Sequence, residues 1–315
     1  MHWLAQAPAN IALIKYMGKQ DDRVNLPANA SFSYTLPHLL STVKLEALTS
    51  QKDLWEPLII PGGPDFRLPE SAQRRFIEHL NRIKTVFSYE GGFLIQSSNN
   101  FPHSTGLASS ASSFAALTKC AILALCELTG QPIPSIDEQA QLSRLGSGSS
   151  CRSYYAPWAL WQGKTVCPVD LPYKELIHQV VVVNSQEKEV SSKEAHKRVK
   201  SSVHYAGRIE RAEANLKALL NALMAQNWSD AYQICWREFQ DMHMLFNTCT
   251  DPFVYQTTSG QNLLKDLQDF WHVNKDGPII TMDAGPNIHL LYRMDQGSLA
   301  EQIRQMYLVG NFDVL

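Results

Sequence analysis

Apolar positions change rhythm along this chain. Through the first hundred residues they come in short runs, ANIALIKYM (9–17), FSYTLPH (32–38), STVKLEAL (41–48) and GGFLIQSS (91–98), rich in β-branched and aromatic residues and closed by polar or glycine signals, the pattern of strands. From about Gly106 to about Leu128 the spacing predicts a long helix, with Gly130 as its stop. Ser135 followed three residues later by Glu138 has the capping-box spacing and opens a second helix ending near Gly146. HQVVVVNS (178–185) reads as a fully buried strand. Beyond Lys188 the period turns helical. Ile209, Ala212, Leu216, Leu219, Leu220 and Leu223 share a face, and Ile234, Phe239, Met242 and Phe246 continue the pattern after an expected cap at Ser229. A further helix is expected near 262–273, and GPIITMDAGPNIHLLYR then reads as two strands joined by a Gly-Pro turn.

The change of rhythm predicts two lobes, residues 1–188 and 189–315, within a length of 315 residues. A hydrophobic content of 44% supports a real core, and a net charge of -2 without a basic tract argues against general nucleic-acid binding. Any anion must be met by local donors. The six cysteines show no C-x-x-C spacing and sit mostly among apolar neighbours, which predicts reduced, buried thiols in a cytoplasmic protein. The ten histidines show no zinc spacing, and only His103 lies inside a candidate phosphate loop. The N-terminal segment, interrupted by Lys15, reads as neither signal peptide nor anchor, so no membrane partner is expected.

Four segments carry candidate chemistry. PHSTGLASSAS (102–112) is a turn feeding a helix with small hydroxylated first residues, suited to a phosphate on unpaired backbone N–H groups, or equally to tight helix packing. GSGSSCRSYY (146–155) adds Arg152, whose guanidinium can grip phosphate or carboxylate, to expected free donors at Ser147 to Ser149. No Walker-type phosphate loop occurs. TMDAGPN places Asp283 where a strand gives way to a turn, a position that often only forms the turn. Lys15 lies in the apolar run IALIKYMGK, and a buried lysine needs a partner, for which Asp283 is the candidate.

Taken in order, APANIALIKYMGK, NLPANASFSYTL, NNFPHSTGLASSAS, SRLGSGSSCRS, EVSS and TMDAGPN make the sequence resemble the diphosphomevalonate decarboxylases of the GHMP kinase superfamily over nearly its whole length. The resemblance implies an α+β, two-lobed fold with ATP and substrate in the cleft between lobes. It implies an ATP- and Mg2+-dependent enzyme of isoprenoid biosynthesis that phosphorylates the 3-hydroxyl of mevalonate 5-diphosphate and then releases phosphate and carbon dioxide to give isopentenyl diphosphate. Asp283 matches the family's aspartate facing that hydroxyl, Arg152 the arginine near the substrate carboxylate, and Lys15 the lysine supporting the centre. Tyr16, Lys19, Ser147, Gly148, Ser149, Ser191 and Ser192 match substrate contacts. Ser97, Ser104, Thr105, Gly106, Leu107, Ala108, Ser109 and Ser110 match the ATP side. A homodimer is the family's usual state.

The match has departures. Met17 stands for a tryptophan, Gln20 for an arginine, Ala30 for a serine, and Ala195-His196 for a glycine-methionine pair. These changes leave three alternatives open: a decarboxylase of mevalonate 5-phosphate, a mevalonate-type kinase, or a nucleotide-binding sensor without catalysis.

Overall fold

The computed structural model describes residues 1–60, 67–101, 109–184 and 189–315. In chain order the elements are β1 (His2–Ile14), β2 (Lys19–Asp21), β3 (Leu26–Pro27), β4 (Ser31–Ala47), β5 (Leu54–Pro57), α1 (Glu70–Val86), β6 (Phe93–Asn99), α2 (Ser109–Thr129) and α3 (Ile136–Gly146). There follow a 3-10 helix (Gly148–Tyr154), β7 (Trp158–Gln162), β8 (Thr165–Pro168), β9 (Leu176–Val182), α4 (Ser192–Arg198), α5 (Arg208–Met224), α6 (Trp228–Thr248) and α7 (Thr258–Asn274). The chain ends with β10 (Ile279–Met282), β11 (Ile288–Arg293), α8 (Gly297–Ile303) and β12 (Asp313–Val314).

FSYTLPH and STVKLEAL form one strand, β4, the spine of the first sheet. It pairs with β1 along its length, with β7 at its start and with β6 toward its end, in the order β5-β6-β4-β7-β8. The pairing with β1 slips where Pro8 faces Leu40 and Ala9 faces Leu36, so Pro37 to Leu39 bulge outward. Proline has no N–H for the ladder, and a bulge accommodates that loss. Asn100 closes the bulge: its Oδ1 accepts from Leu40 N–H at 2.8 Å and its Nδ2 donates to the His38 carbonyl at 2.9 Å. The second sheet, β10-β11-β9-β12, is antiparallel throughout. β9 precedes residue 188 yet belongs to this sheet, so the change of sheet comes one strand before the change of rhythm in the sequence.

Two large cores follow from these layers. Val43, Leu45, Phe93 and Ile95 of the first sheet pack on Phe76, Leu80 and Ile83 of α1 and on Phe114, Leu117 and Ala121 of α2. α2 is long and apolar enough to cross a membrane by length and composition, but it is mostly buried inside the protein as the helix at the centre of this core. The other core joins Ile11, Leu13 and Phe32 at the opposite end of the first sheet to Ile280, Ile288 and Leu290 of the second, with α5, α6 and α7 behind. All six cysteines are free thiols.

Several boundaries differ from the sequence expectation. The cap of α6 is Asn227, whose side-chain oxygen accepts from Asp230 N–H at 3.1 Å, while Ser229 falls inside the first turn. α7 begins earlier, capped by Thr257 on Gly260 N–H at 3.1 Å. The capping box of α3 is as expected, with Ser135 accepting from Glu138 N–H and Glu138 from Ser135 N–H. α1 was not anticipated, although Phe76, His79, Leu80 and Ile83 bury one face at helical spacing.

One buried ion pair locks α1 to the sheet. Lys84 Nζ lies 2.9 Å from Asp53 Oδ2, and Asp53 Oδ1 also accepts from Phe93 N–H at 2.8 Å. Removing one partner strands the other charge in the core. Asp53→Ala is expected to lower unfolding free energy by about 3–5 kcal/mol in chemical denaturation, and an unchanged midpoint would remove this pair from the account of stability.

Candidate active site

Lys15 is the first residue after β1, and its backbone is fixed before its side chain acts. Its N–H donates to Glu238 Oε1 at 3.0 Å, and its carbonyl accepts from Arg208 Nη2 at 3.0 Å and Asn29 Nδ2 at 2.9 Å. Glu238 of α6 and Arg208 of α5 are fully buried and bonded twice, at 2.5 and 3.2 Å. Asn215 adds a donor to Glu238 at 2.8 Å, and Arg208 reaches Asp241 at 2.9 Å. Burial pushes the Glu238 carboxyl up, but the charge and hydrogen bonds of Arg208, with Asn215 and the Lys15 N–H, outweigh it and hold the group below its usual range. These partners clamp the end of β1 onto the second lobe.

From this anchor Lys15 Nζ reaches Asp283 Oδ1 at 2.7 Å. The lysine is 1% exposed and the aspartate 25%, so the carboxylate faces outward and the ammonium lies behind it. Burial lowers the Lys15 pKa, and Asp283 offsets part of that shift. Burial would raise Asp283, but Lys15, His289 and Arg152 together hold it below the usual carboxylate value. Asp283 follows β10, and its carbonyl accepts from His243 Nε2 at 3.1 Å; burial drops the His243 pKa to about 4, leaving a neutral ring.

Arg152 projects from the 3-10 helix and is buried, its Nε donating to Asn10 Oδ1 at 3.2 Å. Asn10 is held in turn on Ser153 Oγ at 2.8 Å and the Ser149 carbonyl at 3.3 Å. Arg152 Nη1 is buried without a hydrogen-bond partner among the described residues, and the guanidinium lies 5.9 Å from the Trp161 ring centre. A donor left unpaired costs about 1–3 kcal/mol, which an incoming anion would relieve.

Tyr16 packs between Trp161, at 4.7 Å between ring centres, and His196, at 4.2 Å, and its hydroxyl is buried without a partner. Gly148 lies against this ring: a Cβ there would sit 2.9 Å from Tyr16 Cε1, so only glycine fits without displacing it. The His196 Nδ1 accepts from Gly18 N–H at 3.0 Å, which fixes the neutral ring with its proton on Nε2. Burial, with Lys19 and Lys200 nearby, drops its pKa to about 3. Lys19 donates to Asn25 Oδ1 at 2.7 Å, and burial lowers its pKa, Asp22 opposing and Lys193, Arg75 and Lys200 adding to the fall. Arg144 carries a further buried guanidinium with Nε and Nη1 unpaired among the described residues. The site is therefore rich in cations and short of acceptors.

GSGSSCRSYY is a helical turn rather than an open loop. The Ser147 N–H is spent on the Ser143 carbonyl at 3.3 Å, so the expected free donors reduce to Gly148 and Ser149, the first residues of the 3-10 helix. Ser147 Oγ meets Ser110 Oγ at 3.4 Å, which brings this turn to the start of α2. Ser109 and Ser110 open that helix, whereas His103, Ser104, Thr105, Gly106, Leu107 and Ala108 lie outside the described residues. Ser97 sits on β6 with its hydroxyl accepting from Trp55 Nε1 at 3.0 Å. Ser191 caps α4 by accepting from Glu194 N–H at 3.2 Å, and Ser192 is the first residue of that helix.

Comparison with known proteins fits this geometry. Residues 7–166 match the family described as Diphosphomevalonate decarboxylase-like N-terminal domain, and residues 178–311 match Mevalonate 5-diphosphate decarboxylase C-terminal domain. The chain belongs to the diphosphomevalonate decarboxylase family. A crystal structure of a mevalonate diphosphate decarboxylase from Legionella pneumophila is 66% identical, with a TM-score of 0.95 and all of both chains covered. A Ganoderma lucidum diphosphomevalonate decarboxylase is 33% identical over 90% of this chain and 76% of its own. The mevalonate diphosphate decarboxylase from Enterococcus faecalis is 25% identical with a TM-score of 0.84, covering 100% of this chain and 96% of its own. A further structure, 26% identical with a TM-score of 0.84 and the same coverage, holds MVAPP, AMPPCP and magnesium. The chain is thus a diphosphomevalonate decarboxylase-type enzyme with the two-lobed α+β architecture of the GHMP kinases.

For this decarboxylase-family site, the two neutral histidines set a pH limit. An unfolded histidine protonates near its ordinary value of about 6.5, while folded His196 and His243 refuse the proton until about pH 3 and about pH 4. Below pH 6.5 the unfolded chain therefore binds more protons, and stability falls with pH by up to about 1.4 kcal/mol per pH unit for each ring. Urea midpoints measured from pH 7 to 4.5 are expected to decline, and His196→Met to decline less steeply. Parallel slopes would show that the His196 ring takes up its proton while folded.

Proposed function

We propose that the enzyme transfers the γ-phosphoryl group of ATP to the 3-hydroxyl of mevalonate 5-diphosphate, then expels that phosphate with carbon dioxide to leave isopentenyl diphosphate. The observation that carries this reading is the 2.7 Å Lys15–Asp283 pair within electrostatic reach of a buried arginine that has a donor to spare.

A tertiary alcohol is a poor nucleophile and must be aimed. Asp283 accepts the hydroxyl hydrogen bond and points the oxygen at the phosphoryl group, with Lys15 fixing the rotamer of the carboxylate. Because the Asp283 pKa is held low, the carboxylate is a weak base in the ground state and takes the proton only as the O–P bond forms. Most of the acceleration then comes from position and preset charge. In the second step the C3–O bond breaks and positive charge develops at C3, where the anionic Asp283 stabilises it. Arg152 holds the substrate carboxylate until the electrons of the C1–C2 bond form the new double bond and carbon dioxide leaves.

We assign the diphosphate to the cationic side of the site: Tyr16, Lys19, Gly148 and Ser149, with Ser147 at the seam and Ser191 and Ser192 at its rim. Lys193, Lys200, Arg75 and Arg144 enlarge the positive field there. The excess of buried donors over acceptors supports a dianionic tail. ATP phosphates are assigned to the start of α2, at Ser109 and Ser110, and to the preceding 104–108, with Ser97 behind. Among the described residues there is no cluster of three His, Cys, Asp or Glu able to hold a metal. That suits Mg2+, which commonly takes one or two carboxylates with phosphate oxygens and water, and which when bound neutralises nucleotide charge. A homodimer remains the expected assembly.

Asp283→Asn is expected to reduce kcat at least about 10²-fold with ATP affinity nearly unchanged. Carbon dioxide release and nucleotide titration check it, and near-normal turnover removes Asp283 from the reacting centre. Arg152→Ala is expected to weaken substrate binding and kcat together. Should it lower only thermal stability, the carboxylate lies elsewhere. Turnover on mono- and diphosphate substrates tests the tail assignment, the diphosphate being strongly preferred.

A further inference from the structure

Three histidines outside the machinery above make a continuous hydrogen-bonded line. His289 Nδ1 lies 3.0 Å from His178 Nε2, and His178 Nδ1 lies 3.1 Å from His38 Nε2, with ring centres 5.2 and 5.1 Å apart. The line joins three strands: β11 carries His289, β9 carries His178, and the bulge of β4 carries His38. Pairing explains the alignment. His289 faces Val180 and Leu291 faces His178, so the two rings are diagonal neighbours on one face of the second sheet. His289 also faces Thr281, and Asp283, two residues beyond, continues that face. One end of the line is thus fully buried beside the reacting carboxylate, and the other, His38, is exposed.

We propose that His289, His178 and His38 form a proton store and path serving Asp283. This rests on the functional reading above. The reaction needs such a store because a carboxyl held well below its usual range cannot keep a proton between two chemical steps. As the phosphoryl group forms its bond to the hydroxyl oxygen, the hydroxyl proton passes to Asp283 and on to His289 Nε2. The His289 Nδ1 proton moves to His178 Nε2, and the His178 Nδ1 proton to His38 Nε2. Each ring gains one proton and gives one, except His38, which ends as the imidazolium at the surface. When the C3–O bond breaks, the departing phosphate takes up one proton, the line runs backward, and every ring regains its first tautomer. No electrons are gained or lost, and the hydroxyl proton leaves with the phosphate.

The surroundings suit a transit role. His289 is faced by Asp283, with Lys15 behind it, and His243 lies on the far side of Asp283 from α6. His178 meets His289 and His38 as its charged or titratable neighbours; burial first, then those two rings, pushes it well below its ordinary value, and burial alone lowers His38. The middle ring therefore passes a proton on rather than holding it, and the exposed ring holds it.

The test replaces the middle ring. His178→Phe keeps an aromatic in place but cannot carry a proton, and His178→Gln serves if that variant does not fold. With ATP and mevalonate 5-diphosphate, kcat for carbon dioxide release is expected to fall at least about 10-fold, less than for a group that touches the reacting oxygen. KM for both substrates should hold, the solvent deuterium isotope effect on kcat should rise, and added imidazole should restore part of the rate. Unchanged kcat and isotope effect in a folded variant would overturn the path, as would a loss confined to KM. The unaltered enzyme is measured alongside: if it releases no carbon dioxide, the failure lies with the proposed reaction and not with the histidines.

Discussion

The bond from Lys15 N–H to Glu238, closed by Arg208 onto the Lys15 carbonyl, is the constraint on which the site depends. It ties the end of the first long strand to two helices more than 190 residues further along the chain, since Arg208 and Lys15 are 193 apart. The tie is ionic and fully buried, so it tolerates no half-measure: either partner without the other is a charge in apolar surroundings. With the backbone of residue 15 immobile, its side chain has a single place to put its ammonium, against Asp283. The geometry of the carboxylate thus follows from the second lobe gripping the first.

Around that anchor the enzyme maintains polar groups its own fold does not satisfy. Arg152 Nη1, Tyr16 Oη and two nitrogens of Arg144 are buried without partners among the described residues. Folded proteins pair nearly all such groups, so four atoms gathered on one side of a cleft mark where stability has been given up for recognition. Their rigidity has visible causes: Asn10 holds Arg152, and Trp161, His196 and the bare Cα of Gly148 hold Tyr16.

Much of this was legible in the sequence. Lys15, Arg152 and Asp283 lie in short distinctive strings, and a lysine inside an apolar run implies a buried counter-charge before any coordinates are known. The clamp was not legible. Arg208 and Glu238 sit on amphipathic helices whose charged residues mostly face water, and nothing local separates the two that turn inward. His196 was visible only as a departure from the family pattern, and its bond to Gly18 N–H depends on folding across 178 residues. β4 was read as two strands because Pro37 looks like an end, whereas the partner strand carries the chain through it as a bulge. The turn at 148–154 was read as open because glycine and serine favour loops, while Ser147 and Ser150 in fact close it into a helix.

The 3.4 Å contact between the Ser147 and Ser110 hydroxyls makes neighbours of two turns that serve different ligands in the proposed reaction. A hydroxyl has one proton to give, so an anion that captures it from either serine changes what the other can offer. Free energies of association at the two places are consequently not separable. Whatever influence the first occupant exerts on the second is returned in equal measure, and a titration of either alone describes only half of a joint equilibrium.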